Sequence, residues 1–190
     1  MIQSVPYNEA PELLRLQFAL LSHRANPGTR SASTDAAPVL HDPALDTMSF
    51  YASLDGEIVS YAAVIRKTIS HGGQTYTLGG LSWVATDPDY RRRGFGSLTV
   101  STATRWMECS DLDIGLFSCD PPLASFYARA GAWPVVEGVV LIGSRHAGAL
   151  RSDTLGKVVL VRLFSAKANV NASTLRHTTI DLDLPVGQFL

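Results

Sequence analysis

The apolar pattern of this chain changes period sharply at a pair of glycines. Before them, "MSFYASL" (48–54), "EIVSYAAVIRKTI" (57–69) and "YTLGGLSWVAT" (76–86) are three apolar runs of strand length. Asp55-Gly56 and Gly72-Gly73 divide them, and both dipeptides favour tight hairpins, which predicts an antiparallel meander. After Gly94 and Gly96, Leu98, Thr102, Trp106 and Met107 fall on one helical face running to about Cys109. "DIGLFSC" (113–119) then reads as a short buried strand. A strand, a helix and a strand in that order predict a crossover, with 76–86 and 113–119 parallel.

The flanks are less constrained. "NEAPELLRLQFALLSH" places Leu13, Leu14, Phe18 and Leu21 at helical spacing, with Pro11 near the start. Residues 24–46 read as a long loop of the kind that walls a site. "PPLASFYARAGAW" predicts a helix with proline at its start and Gly131 at its end. "PVVEGVVLIG" and "GKVVLVRLF" read as further strands, 165–177 as another excursion, and "TTIDLDL" as a last extended piece. The expected class is α/β (α+β), with residues 1–190 as a single domain.

Composition narrows the partners. Hydrophobic residues make up 46% and charged residues 17% of 190 residues, an ordinary globular balance. A formal net charge of -1 argues against bulk attraction to nucleic acid or to an anionic membrane. No apolar run reaches the roughly 20 residues of a membrane helix, and the first residues do not resemble a secretory signal. Two cysteines, Cys109 and Cys119, read as buried free thiols in a cytoplasmic protein. The five histidines have no metal-like spacing and read mostly as surface or loop residues, so no metal is expected.

"DPDYRRRGFGS" joins the last meander strand to the helix. A helix N-terminus offers unpaired N–H groups and a positive dipole end, a ready seat for phosphate. Gly94 and Gly96 remove side chains that would hold an anion off the backbone, and Arg91, Arg92 and Arg93 offset its charge. A Walker loop is absent, and a dinucleotide fingerprint fails at Thr99, where its third glycine would stand.

Arg91 to Gly96 matches the [QR]-x-x-G-x-[GA] signature, and with "DIGLFSCDPPLASFYARAGAW" after it the chain resembles the GNAT superfamily of N-acetyltransferases. The meander, the helix "LASFYARAGAW", the strand "GKVVLVRL" and the ending "DLPVGQFL" are similar to aminoglycoside 2′-N-acetyltransferases, with a kasugamycin-acetylating branch the more attractive. The resemblance implies a mixed, mostly antiparallel sheet flanked by helices, with strands splayed around acetyl-CoA. It implies transfer of acetyl to an amine of a small amino sugar. A homodimer is a further expectation, because relatives are often dimers.

The same resemblance assigns roles. The backbone at Val84, Ala85 and Thr86 would meet the pantetheine, with one N–H as oxyanion donor. The turn Arg91, Arg92, Arg93, Gly94, Phe95, Gly96 and Ser97 would take the pyrophosphate. Tyr127 aligns with the tyrosine that protonates the departing thiolate, although Phe126-Tyr127 also suits a helix core. Ser82 stands where relatives often carry a carboxylate base, and serine is a poor base. Deprotonation then runs through water and backbone carbonyls or through Asp120, which also reads as a helix N-cap. Asp35, Asp42 and Asp46 are candidate acidic walls, as are Asp181 and Asp183 near the tail. Trp83 is a candidate for stacking on a sugar or for the core, and the C-terminal carboxylate on Leu190 is a further acidic candidate, because in relatives the tail end reaches the substrate. Two rival functions remain: acetylation of another small amine or a protein N-terminus, and a non-catalytic acyl-CoA sensor.

Overall fold

The computed structural model describes residues 1–27 and 39–190. Its strands are Gln3–Pro6 (β1), Asp46–Leu54 (β2), Glu57–His71 (β3), Gln74–Thr86 (β4), Ile114–Cys119 (β5), Val140–Ile142 (β6), Val158–Leu163 (β7) and Thr179–Asp181 (β8). Its α-helices are Glu12–Ala25 (α1), Phe95–Glu108 (α2), Ala124–Gly131 (α3) and Ala166–Val170 (α4). Six strands form one sheet in the order β1-β2-β3-β4-β5-β7, and β6 pairs with β8 in a second, parallel sheet. This is the mixed α/β architecture expected, and the six-stranded sheet is antiparallel except where β4 meets β5.

The two glycine dipeptides turn the meander as their composition requires. Asp55 and Gly56 have φ of 51° and 85°, and Gly72 and Gly73 have 56° and 74°. Successive left-handed residues of this kind match the twist of a hairpin. Residues 58–65 of β3 are buried on both faces, which explains why its apolar residues there do not alternate with polar ones. Tyr61 and Ala63 pack with Phe18 and Leu21 of α1. Ala62 and Val64 pack in the cluster that contains Val100, Ala103 and Met107 of α2. The sheet is thus covered by α1 on one face and by α2 on the other.

Three local expectations fail for physical reasons. Leu13 is 69% exposed, and Phe18 and Leu21 make the inner face of α1. The predicted strand "PVVEGVVLIG" is broken into a single bridge from Val135 to Leu160 and the short β6, because Gly138 turns left-handed (φ 72°) against His177. α3 does end at Gly131 as expected, and the left-handed residue that stops it is the next one. That conformation falls to Ala132 (φ 51°), while a Cβ on Gly131 would lie 2.5 Å from Thr104 Oγ1. Cys109 is exposed, and only Cys119 is the buried thiol expected. Among the described residues, no helix is long and apolar enough to cross a membrane, and no cluster of His, Cys, Asp or Glu could hold a metal.

Candidate active site

β4 and β5 pair at only three positions, Leu78–Gly80 against Ile114–Leu116. Beyond them, 81–86 stays on β3 and 117–119 stays on β7, so a gap opens in mid-sheet. β4 also bulges there. Its register on β3 steps from Ser82 opposite Ala63 to Ala85 opposite Tyr61, leaving Trp83 and Val84 against Ala62. Trp83 takes φ 49°, a left-handed conformation costly for so bulky a residue. A bulge re-aims the groups around it, here at the mouth of the gap. Ser82 is buried on the α1 face in line with Ala63 and Ser49, and Trp83 and Val84 are half-buried.

The glycine turn closes one end of the gap. Asp87 follows β4 and accepts a hydrogen bond from Asp89 N–H at 3.0 Å, capping a 3-10 turn over Pro88–Tyr90. Arg92 (φ 62°) and Gly94 (φ 87°) are left-handed, and α2 starts at Phe95. The first carbonyl accepted by the helix is that of Gly94, from Leu98 N–H at 3.0 Å. The N–H groups of Phe95, Gly96 and Ser97 therefore have no helical acceptor. Gly96 is required by close approach, since a Cβ there would lie 2.7 Å from Thr86 Oγ1. That hydroxyl belongs to a buried chain: Thr86 Oγ1 is 3.4 Å from Ser60 Oγ, and Thr99 Oγ1 is 2.9 Å from Ser60 Oγ. Arg93 lies over the Tyr90 ring at 5.0 Å. Arg91 points elsewhere, donating to Ala25 O at 2.9 Å and Thr86 O at 3.4 Å.

The β5 side of the gap carries Tyr127, Cys119 and Asp120. Tyr127, on α3, is 7% exposed and meets Phe117 edge-on at 4.7 Å. Burial pushes its hydroxyl well above the ordinary phenol range, and Cys119 and Asp120 add to that. Burial also pushes the Cys119 thiol up to about 11, with Asp120 reinforcing and Lys157 opposing. Asp120 makes no side-chain cap bond; its carboxylate pairs with Lys157 at 2.6 Å. Leu190 is buried against Gly80, and its carbonyl accepts from Ser118 N–H at 3.1 Å and from Ser118 Oγ.

Ser82, Trp83, Val84, Ala85 and Thr86 and the glycine turn thus border the gap on its β4 side, Tyr127 and Asp120 lie by the end of β5, and Leu190 meets both Gly80 and Ser118. The expected acidic wall is not gathered there. Asp46 is at the opposite end of β2 and β3 and pairs with Arg66 at 3.5 Å. Asp42 folds back on its own loop, accepting from Ala44 N–H at 2.8 Å. Asp181 and Asp183 lie 3.0 and 3.4 Å from Arg145. Asp35 lies outside the described residues.

One constellation has no counterpart in the sequence reading. His41 is fully buried, with Nε2 2.9 Å from the Tyr61 hydroxyl, which is 3.0 Å from Ser49 Oγ. The Tyr7 hydroxyl accepts from Leu40 N–H at 3.1 Å beside it. These contacts span 12 to 33 residues, so no local spacing announces them. A cavity of 570 Å³ lies away from the gap, between Val135, Val161, Leu163 and Leu175.

The model of the acetyltransferase (GNAT) family matches residues 12–132. Several solved structures share the fold. The GNAT family N-acetyltransferase YhbS from Escherichia coli, in complex with CoA, has 16% identity and a TM-score of 0.63, over 95% of this chain and 88% of that one. An acyl-CoA N-acyltransferase from Pseudomonas aeruginosa has 15% identity and a TM-score of 0.56, over 85% and 98%. Eis1 from Mycobacterium abscessus has 14% identity and a TM-score of 0.56, over 72% and 32%, so this chain spans about a third of its length. No curated protein matches the chain.

Proposed function

The chain belongs to the GNAT family of acetyltransferases, and from that premise we propose that it transfers acetyl from acetyl-CoA to the amine of a small, weakly charged amino sugar, at a 2′-amine of a kasugamycin-like compound. The observation that carries the reading is the coincidence of three features in one gap. These are parted parallel strands, an open helix N-terminus at one end and a buried tyrosine on the far side.

The residues present fit acetyl-CoA. The bare Cα of Gly94 has nothing within 4 Å of its missing side chain, so a pyrophosphate can approach the N–H groups of Phe95, Gly96 and Ser97. Arg92 and Arg93 supply charge beside it. The bulged backbone from Val84 to Thr86 offers hydrogen bonds to pantetheine and an N–H for the oxyanion. Acetyl-CoA supplies a thioester whose acyl group is open to attack by an amine. Tyr127, held protonated by burial, is suited to hydrogen-bond and protonate the leaving thiolate. The acceptor amine loses its proton through water and backbone carbonyls near Ser82, or to Asp120.

Charge supports the weakly cationic acceptor. Among the described residues, Asp46, Asp120, Asp181 and Asp183 are already ion-paired, so they offer a polycation little. Trp83, half-buried beside Ser82, offers a flat face to a sugar ring. The test is thiol release from acetyl-CoA with kasugamycin, broad-spectrum aminoglycosides, simple amines and a peptide N-terminus. Turnover with kasugamycin above the rest is expected. Turnover only with simple amines or the peptide removes the amino-sugar acceptor, and CoA binding without any turnover favours a sensor.

A further inference from the structure

The three arginines of the turn do different things. Arg93 stacks on Tyr90 inside the turn, and Arg92 stands at its left-handed corner. Arg91 leaves the turn. Its Nη2 reaches Ala25 O at 2.9 Å, at the last residue of α1, and its Nε lies 3.4 Å from Thr86 O at the end of β4. The last carbonyls of a helix lack helical donors and carry its negative dipole end, so a guanidinium is a fitting cap.

A second clasp joins the same two elements. Arg24, also in the last turn of α1, pairs with Asp87 at 3.0 Å. Asp87 is fixed in turn, since its N–H donates to Val59 O at 3.0 Å and its side chain caps the 3-10 turn. The inner face of α1 packs through Phe18 and Leu21 on Tyr61 and Ala85, in the cluster that Leu40 shares and Trp83 flanks. The position of α1 therefore sets the wall on the Ser82 and Trp83 side of the gap.

We infer that Arg91 is a positioning residue that clamps α1 to the end of β4, and that it does not ligate the cofactor. It rests on the reading above, in which the turn takes pyrophosphate and the α1 face receives the acceptor. The anion is left to the N–H groups of Phe95 to Ser97, with Arg92 and Arg93.

The test compares Arg91→Met, Arg91→Lys and Arg93→Met in the full chain. CoA affinity is measured by calorimetry, acceptor kinetics by thiol release, and amide exchange at residues 22–26 without CoA. Arg91→Met is expected to keep CoA affinity within about twofold. It should raise acceptor KM roughly tenfold with kcat little changed, the scale of one lost charged hydrogen bond. Exchange at residues 22–26 should rise in step, and Arg91→Lys should recover most of both effects. Arg93→Met should instead weaken CoA. The inference is overturned if Arg91→Met weakens CoA as much as Arg93→Met does. It is equally overturned if acceptor KM or exchange at residues 22–26 stays at the wild-type value. Should the wild-type protein bind no CoA, the functional reading falls, while the exchange measurement still decides whether Arg91 clamps α1.

Discussion

At the scale of single residues, burial sets the protonation of the two most consequential polar rings. The Tyr127 hydroxyl is raised among Phe117, Phe126 and Cys119, so it stays protonated through the pH range of an assay. Tyr127→Phe should lower kcat by about 10²-fold or more, the usual range for a positioned acid, while CoA affinity is kept. Calorimetry and thiol release separate the two, and an unchanged kcat removes Tyr127 from the chemistry. His41 moves the opposite way, to about 3 from an ordinary 6.5, because burial disfavours its cation. The unfolded chain then binds a proton that the native state refuses. Stability contributed by neutral His41 is therefore full above pH 6.5 and falls on acidification towards pH 3, by up to about 1.4 kcal/mol per unit. Thermal melts at pH 7 and pH 5 should show a larger loss in wild type than in His41→Gln. The place of Tyr127 on a helix after β5 is legible because a local motif carries it. That of His41 is not, because its partners Tyr61 and Tyr7, and Ser49 behind Tyr61, come from distant parts of the chain.

At the scale of elements, the strand-turn-helix unit is stricter here than the signature it matches. The signature admits alanine at the last position, yet the Thr86 hydroxyl occupies the space that an alanine methyl at 96 would need. Gly96→Ala should weaken CoA binding about tenfold or more by driving the end of β4 from α2, within the cost of overpacking. Adding Thr86→Ala should restore much of it, and calorimetry on both variants checks this. Element types along 46–131 could be read because hairpin dipeptides, period and proline placement all agree there. After residue 131 local pattern and structure part. Gly138 breaks a run that looked continuous, and Ala132 takes a left-handed turn so that Gly131 can sit close to Thr104. Both outcomes follow from packing against distant side chains.

At the scale of the whole molecule, the sheet joins the long β1–β4 meander to the shorter β5-β7 pair through three residues. A ligand that bridges the two halves should stabilise the whole fold. At 100 times its Kd, CoA should add about 2.7 kcal/mol, which for a domain of this size raises Tm by roughly 5–10 °C in a thermal melt. No shift would mean that the gap does not take CoA. The parting of β4 and β5 has one more consequence. A six-stranded open sheet ordinarily has two borders, one at each outer strand. This one has two additional borders inside it, along 81–86 and 117–119, facing each other. Ser118 has already had its border N–H covered by the carbonyl of Leu190, as though the chain were repairing a tear. The middle of the sheet, normally its most protected region, is therefore where this protein is most open to any extended, amide-bearing molecule.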